Sequence, residues 1–230
     1  MNVTLIEHTP NPERTVALAA RLCYSPTSID DLREKLAASD IESFLDKIMS
    51  LGHHSVLEHA SFTFGIEGIS RVTTHQLVRH RIASFSQQSQ RYVSHKEDFT
   101  SIMPNTIAEN HEARQIFAFM SETVHKAYAQ LIEMGIPAED ARYILPNATE
   151  TKIIMTMNAR ELLHYFALRC CQRAQWEIRE MSVEMLRLVK KKAPIIFRQA
   201  GPGCVGGPCP EGKFCCGQTT EVREFYKNLE

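Results

Sequence analysis

Ala60 to Ile66, ASFTFGI, alternates strictly: Phe62, Phe64 and Ile66 fall on one face and Ser61, Thr63 and Gly65 on the other. A period of two predicts a half-buried strand. A helix is predicted next, from about Ser70 to His80, and it opens into RHRIASFSQQSQRY, Arg79 to Tyr92. The order strand, helix, polar loop places binding groups at the rim of a rigid element. Those fourteen residues hold three arginines, one histidine, three serines and three glutamines, with no acid, lysine or glycine. A solvated loop mixes charge signs, so this composition marks a site for something anionic and planar.

The rest of the chain supplies a frame of helices and strands. Thr15 to Cys23 and Ile41 to Leu51 carry apolar residues at helical spacing, and Glu109 to Met134 is a long amphipathic segment closed by Gly135 and Pro137. Thr149 to Met157, rich in β-branched residues, is predicted as a second strand. A helix is expected over Asn158 to Arg173, with Asn158 as N-cap and Glu161 completing a capping box. On that helix Arg169 and Arg173 share one side, while Arg160 and His164 share roughly the opposite one. Gln175 to Lys192 reads as a further helix with a basic last turn. The fold class is therefore α/β (α+β).

With 230 residues, 43% of them hydrophobic, the chain suits a single compact domain. We place that domain at residues 1–200, with a Gly/Pro/Cys-rich tail over 201–230 packed on it or extending from it. The 26 basic and 27 acidic side chains nearly cancel, which argues against a general nucleic-acid or membrane-surface binder. No apolar run approaches the roughly 20 residues of a bilayer span, and MNVTLIEHTP lacks a secretory layout. A cytoplasmic protein is expected, and its seven cysteines are expected to be reduced thiols. The tail cysteines lack a CxxC pair and the regular separations of structural zinc, so no metal is assigned.

Three clusters could carry chemistry. GHHSVLEHA, Gly52 to Ala60, has His53, His54, Glu58 and His59 but no HExxH; a turn with a polar binding surface and a set of satisfied structural histidines both fit. In Arg79 to Tyr92, guanidiniums would recognise phosphate bidentately, while Ser, Gln and backbone amides complete the shell and suit the edge of a pyrimidine or flavin ring. The third is the Asn158 helix, with Arg142 upstream. These regions together supply at least six arginines without matching acids in the sequence. GxSxG, GxxxxGK[ST] and GxGxxG are all absent. An enzyme of this composition draws its hard chemistry from a bound cofactor.

Arg79-His80-Arg81, a seven-residue gap and Ser89 resemble the signature of the flavin-dependent thymidylate synthases. GHHSVLEHASFTF resembles that family's histidine turn and strand, HQLVRHR its helix into the site, and NAREL with LRCCQRAQWEI its C-terminal binding helix. The resemblance runs from about Leu51 to Ile178, with AARLCY, Ala19 to Tyr24, fitting as well. It implies reductive methylation of dUMP to dTMP, with methylenetetrahydrofolate giving the carbon and NADPH-reduced FAD the hydride. It also implies a central mixed or antiparallel sheet flanked by helices, and a homotetramer with shared active sites.

Carried over by position, the resemblance implies FAD contacts at Ser55, Arg79, His80, Arg81, Ile82, Gln87, Asn158, Arg160 and His164. It implies dUMP contacts at Gln76, Arg79, Gln87, Gln88, Ser89, Gln90, Arg91, Arg142 and Arg169, and puts His53 near the folate and flavin rings. Arg169 is the expected catalytic group, a guanidinium that stabilises charge on the uracil ring. Ser89 is read as a hydrogen-bonding group, since no base for a nucleophile is visible. Ser86-Gln87 stands where many members have Asn-Glu, and His164 where an Asn is often found. A non-catalytic flavin or nucleotide-binding protein and a histidine-centred metalloenzyme are the competing readings.

Overall fold

The computed structural model describes residues 1–37, 39–94 and 100–229. Four strands, β1 (Asn2–His8), β2 (Ser61–Ser70), β3 (Ala83–Gln87) and β4 (Glu150–Asn158), form one sheet in the order β1-β2-β4-β3. Pairing runs antiparallel: the Arg71 amide donates to the Thr149 carbonyl just past one end of β2, and the Ala159 amide to the Ala60 carbonyl just before the other. The helices are α1 (Pro12–Leu22), α2 (Ile29–Ala37), α3 (Glu42–Ser50), α4 (Arg71–Leu77), α5 (Asn105–Ala108), α6 (His111–Glu133), α7 (Ala138–Ala141), α8 (Ala159–Arg169), α9 (Trp176–Lys190) and α10 (Thr219–Lys227). None of the described helices is long and apolar enough to cross a membrane.

By contacts the chain divides into two compact units: Met1–Asn2, Ile66–Arg79 and Phe85–Ile154 in the first, Val3–Gly65, His80–Ser84 and Met155–Glu230 in the second. In the second, β2 behaves as its alternation predicts, with Phe62 and Phe64 fully buried and Ser61 and Thr63 half-buried. Phe197 packs edge-on against both Phe62 and Phe166, at 5.5 and 6.1 Å between ring centroids. The Glu13 carboxylate accepts from the Ile195 and Ile196 amides at 2.6 and 3.3 Å. Lys190 donates to the Tyr226 and Leu229 carbonyls, and the Tyr226 hydroxyl to the Cys170 carbonyl.

The first unit is built on α4 and α6. Ser70 caps α4 by accepting from the Thr73 amide, and Asn110 caps α6 by accepting from Ala113. Gly135, at φ 85°, follows α6 in the left-handed conformation that glycine adopts without strain.

Three expectations are corrected. The stretch after α4 is not wholly a loop, because Ala83 to Gln87 pairs as β3; its alternation of Ala83, Phe85 and Gln87 against Ser84 and Ser86 is half polar and so reads as loop. The Asn158 helix stops at Arg169, so Arg173 leaves the helix and does not share a side with Arg169; it donates instead to the Phe214 carbonyl. Asn158 does cap α8 through Glu161 N–H, but the Glu161 carboxylate does not close a capping box, because it turns inward to His80.

Candidate active site

Most predicted flavin residues fall in the second unit. The GHHSVLEHA turn enters through Gly52, whose φ of 72° needs no Cβ, and winds into a 3-10 helix over His54–His59 that buries only Leu57. His53, Ser55 and His59 are exposed and His54 half-buried, with no side-chain hydrogen bond among the described residues; the geometry is that of a polar surface rather than of satisfied core histidines. Glu58 pairs with Arg160 at 2.5 Å and not with His54. Arg81 and Ile82 are exposed, and Arg81 has no carboxylate partner among the described residues. An unpaired guanidinium beside an exposed aliphatic side chain suits an anionic ring system with an apolar face. His164 is exposed, and Asn158 spends its Oδ1 on the α8 cap.

His80 differs from these, being 4% exposed. Its Nδ1 lies 3.1 Å from Glu161 Oε1, and its Nε2 accepts from Arg169 Nε–H at 3.1 Å. The Tyr165 ring stands edge-on at 4.8 Å and the His164 ring at 5.8 Å. Burial lowers the His80 pKa, with Arg169 and His164 adding to the effect while Glu161 opposes it, so the ring is held towards its neutral form. Burial likewise raises the Tyr165 hydroxyl above its usual range and pushes the Cys170 thiol up to about 12, so neither is ionised at neutral pH.

His80, Glu161 and His164 also form the one group of clustered potential metal ligands among the described residues. A cation there would face the Arg169 guanidinium, and both His80 nitrogens are already hydrogen-bonded. This donor set does not fit a metal.

The first unit holds most of the predicted nucleotide residues. Gln87 donates to the Thr74 and Thr151 hydroxyls at 3.3 and 3.2 Å, which fixes the end of β3. Gln90 is buried, Gln88 and Ser89 are half-buried, and Ser89 Oγ accepts from the Arg91 amide. No imidazole or carboxylate among the described residues reaches Ser89, which accords with a hydrogen-bonding role. Arg79 is exposed and Gln76 half-buried. Arg142 donates through Nε to the Glu139 carbonyl, and Arg91 pairs with the Glu139 carboxylate at 2.8 Å. The expectation of arginines without acids is thus corrected at Arg91 and Arg160, whose partners come from distant segments.

Two residues were missed in the sequence. Arg71, the first residue of α4, donates through Nη2 to the Gln88 carbonyl at 2.8 Å, while its Nε is buried without a partner among the described residues. Burial lowers its pKa and the nearby Arg142 charge adds to this. Two guanidiniums gathered in this way fit a polyanionic group such as a phosphate. Glu161 is the other, hidden because an acid at the third helical position reads as a cap.

In the second unit a guanidinium is held by a buried imidazole, and in the first unit exposed or half-buried arginines stand among Gln and Ser; each set by itself suits the binding of an anionic, planar ligand. The family profile described as "Thymidylate synthase complementing protein" matches residues 4–195. The chain is 63% identical to a flavin-dependent thymidylate synthase of Geobacter sulfurreducens over 100% of this chain and 99% of the relative. It is 49% identical to one of Clostridium tetani, covering 98% and 97%, and 46% identical to one of Pyrococcus horikoshii, covering 100% and 98%. The chain belongs to the flavin-dependent thymidylate synthase family.

Proposed function

We propose that this protein makes dTMP by reductive methylation of dUMP, with the residues above in defined roles. The end-to-end match to flavin-dependent thymidylate synthases carries the reading. Bound FAD, reduced by NADPH, supplies the hydride, and methylenetetrahydrofolate supplies the carbon. Ser55, Arg79, Arg81, Ile82, Gln87, Asn158, Arg160 and His164 hold the flavin, and His80 serves it from inside the protein. The exposure of Arg81, Ile82 and His164 supports this assignment. His53 borders the folate and flavin rings.

Gln76, Arg79, Gln87, Gln88, Ser89, Gln90, Arg91 and Arg142 hold dUMP, and Arg71 orients the Gln88 to Arg91 segment through the Gln88 carbonyl. Arg169 acts at the uracil ring: a guanidinium beside N3 and its carbonyl stabilises negative charge as the ring is polarised, so no covalent attack by the protein is needed. The raised Cys170 thiol supports that choice, because it leaves no thiolate next to Arg169 in the chain.

We also propose a homotetramer, supported by exposed Ile116, Phe119 and Met120 on α6, and a synthase domain over 1–200 with the tail as part of the same fold, supported by the bonds of Lys190 and Tyr226. The deciding experiment supplies dUMP, methylenetetrahydrofolate, NADPH and FAD and measures dTMP, with FAD omitted in parallel. Product that appears only with flavin supports the proposal, and product indifferent to flavin defeats it. A colourless protein carrying stoichiometric zinc would favour the metalloenzyme reading instead.

A further inference from the structure

The chain Glu161, His80, Arg169 has its proton positions fixed by chemistry alone. Arg169 Nε carries a hydrogen and cannot accept, so His80 Nε2, 3.1 Å away, must offer its lone pair. The ring proton therefore sits on Nδ1 and is donated to Glu161 Oε1, also at 3.1 Å. Both interior members are shielded from water, His80 at 4% and Glu161 at 7% exposed. A buried carboxylate is tolerated only with a partner, and here the Asn158 cap uses the Glu161 amide while the side chain is left to His80.

We propose that Glu161 is a positioning residue for Arg169: by fixing the tautomer of His80 it makes His80 Nε2 the acceptor that sets the plane of the catalytic guanidinium. Glu161 and Arg169 lie at opposite ends of α8, and the imidazole from the segment after α4 bridges them. Losing the carboxylate frees the ring to turn or to take the other tautomer. An N–H would then face the Arg169 N–H, and the guanidinium would lose its His80 acceptor. The proposal rests on the role given to Arg169 at the uracil ring.

Glu161→Gln removes the charge and keeps the shape. In the FAD-loaded enzyme we expect kcat for dTMP formation to fall about 10- to 100-fold, the usual effect of losing an orienting partner, with bound flavin and the melting temperature little changed. The acid limb of the kcat profile adds a signature that a merely structural role would not move. Once protonated on both nitrogens, His80 can no longer accept from Arg169. The titratable and charged groups facing the ring are Glu161, His164, Tyr165 and Arg169, all from α8. Of these only Glu161 raises the His80 pKa appreciably, so Glu161→Gln moves the acid limb to lower pH. An unchanged kcat and an unmoved limb, or a loss of stability with kcat per folded enzyme intact, overturns the proposal.

Arg169→Ala in parallel separates the two readings. Near-normal turnover there removes the role of Arg169 itself, whereas a dead Arg169→Ala beside an unaffected Glu161→Gln removes only the positioning. If Glu161→Gln fails to fold, isotope-labelled histidine NMR of the wild-type holoenzyme decides. His80 protonated on Nδ1 and bare on Nε2 supports the assignment, and the opposite tautomer refutes it.

Discussion

Arg169 carries the catalytic proposal because its charge is fixed while its direction is not. A guanidinium is a fixed cation, so what the fold must supply is orientation, to which His80 contributes through one nitrogen. Removing a single preorganised donor of this kind costs about 3 to 4 kcal/mol, a 10²- to 10³-fold loss in rate. Arg169→Ala should therefore lose dTMP formation by about that factor while still binding flavin, read from the flavin absorbance of the purified variant. His80 makes a second claim, on stability. Its folded-state pKa is lowered, chiefly by burial, so below the ordinary imidazole value of about 6.5 the unfolded chain takes up a proton that the folded chain refuses. Its contribution is fully present above that value and is lost as pH falls towards the lowered one. The melting temperature of the wild type should decline more steeply through this acid window than that of His80→Gln. Equal slopes would mean that another group governs the acid limb of stability.

The elements α4 and β3 put the proposed nucleotide residues in place, and Arg71 joins them, running from the first turn of α4 to the Gln88 carbonyl just past β3. Arg71→Ala should raise KM for dUMP about 10-fold, leaving flavin binding intact, because it removes a guanidinium near Arg142 and loosens the Gln88 to Arg91 segment. A variant with wild-type KM would make Arg71 purely structural. Elements of this kind were unevenly legible in the sequence. β2 could be read from Phe62, Phe64 and Ile66 alone, because burial on one face writes a period of two into the chain. β3 could not, since Ala83 and Phe85 are its only apolar residues and stand beside Ser84, Ser86 and Gln87 in a stretch otherwise full of polar groups. The end of α8 was equally silent: Cys170, Cys171 and Gln172 include neither Gly nor Pro to announce a stop. The candidate site was legible where residue type alone suggests it, as with the exposed Arg79 and Arg81 of RHR. It was not legible where a partner lies far along the chain, as for Glu161 and His80, Arg160 and Glu58, or Arg91 and Glu139.

For the whole molecule, α6 poses a problem that one chain does not solve. It has 23 residues, roughly 35 Å of helix, and Tyr128 is its only buried residue. Ile116, Phe119 and Met120, spaced to share one face, are 66%, 67% and 51% exposed. Burying side chains of this size contributes about 1.5 to 3 kcal/mol each, and an apolar stripe of this kind marks an association surface. The stripe fits the proposed homotetramer, in which another copy of the chain covers it. Phe119→Glu would place a charge at its centre, where burial is penalised unless the charge is paired. Light scattering should then show a lower mass than the wild type at equal concentration. If the proposed assembly shares its active sites between subunits, dTMP turnover falls in step with mass and recovers as protein concentration rises and reassociation is driven. Wild-type mass in this variant would show that α6 lies outside the assembly contacts. A dissociated variant with full turnover would show instead that each chain holds a complete site.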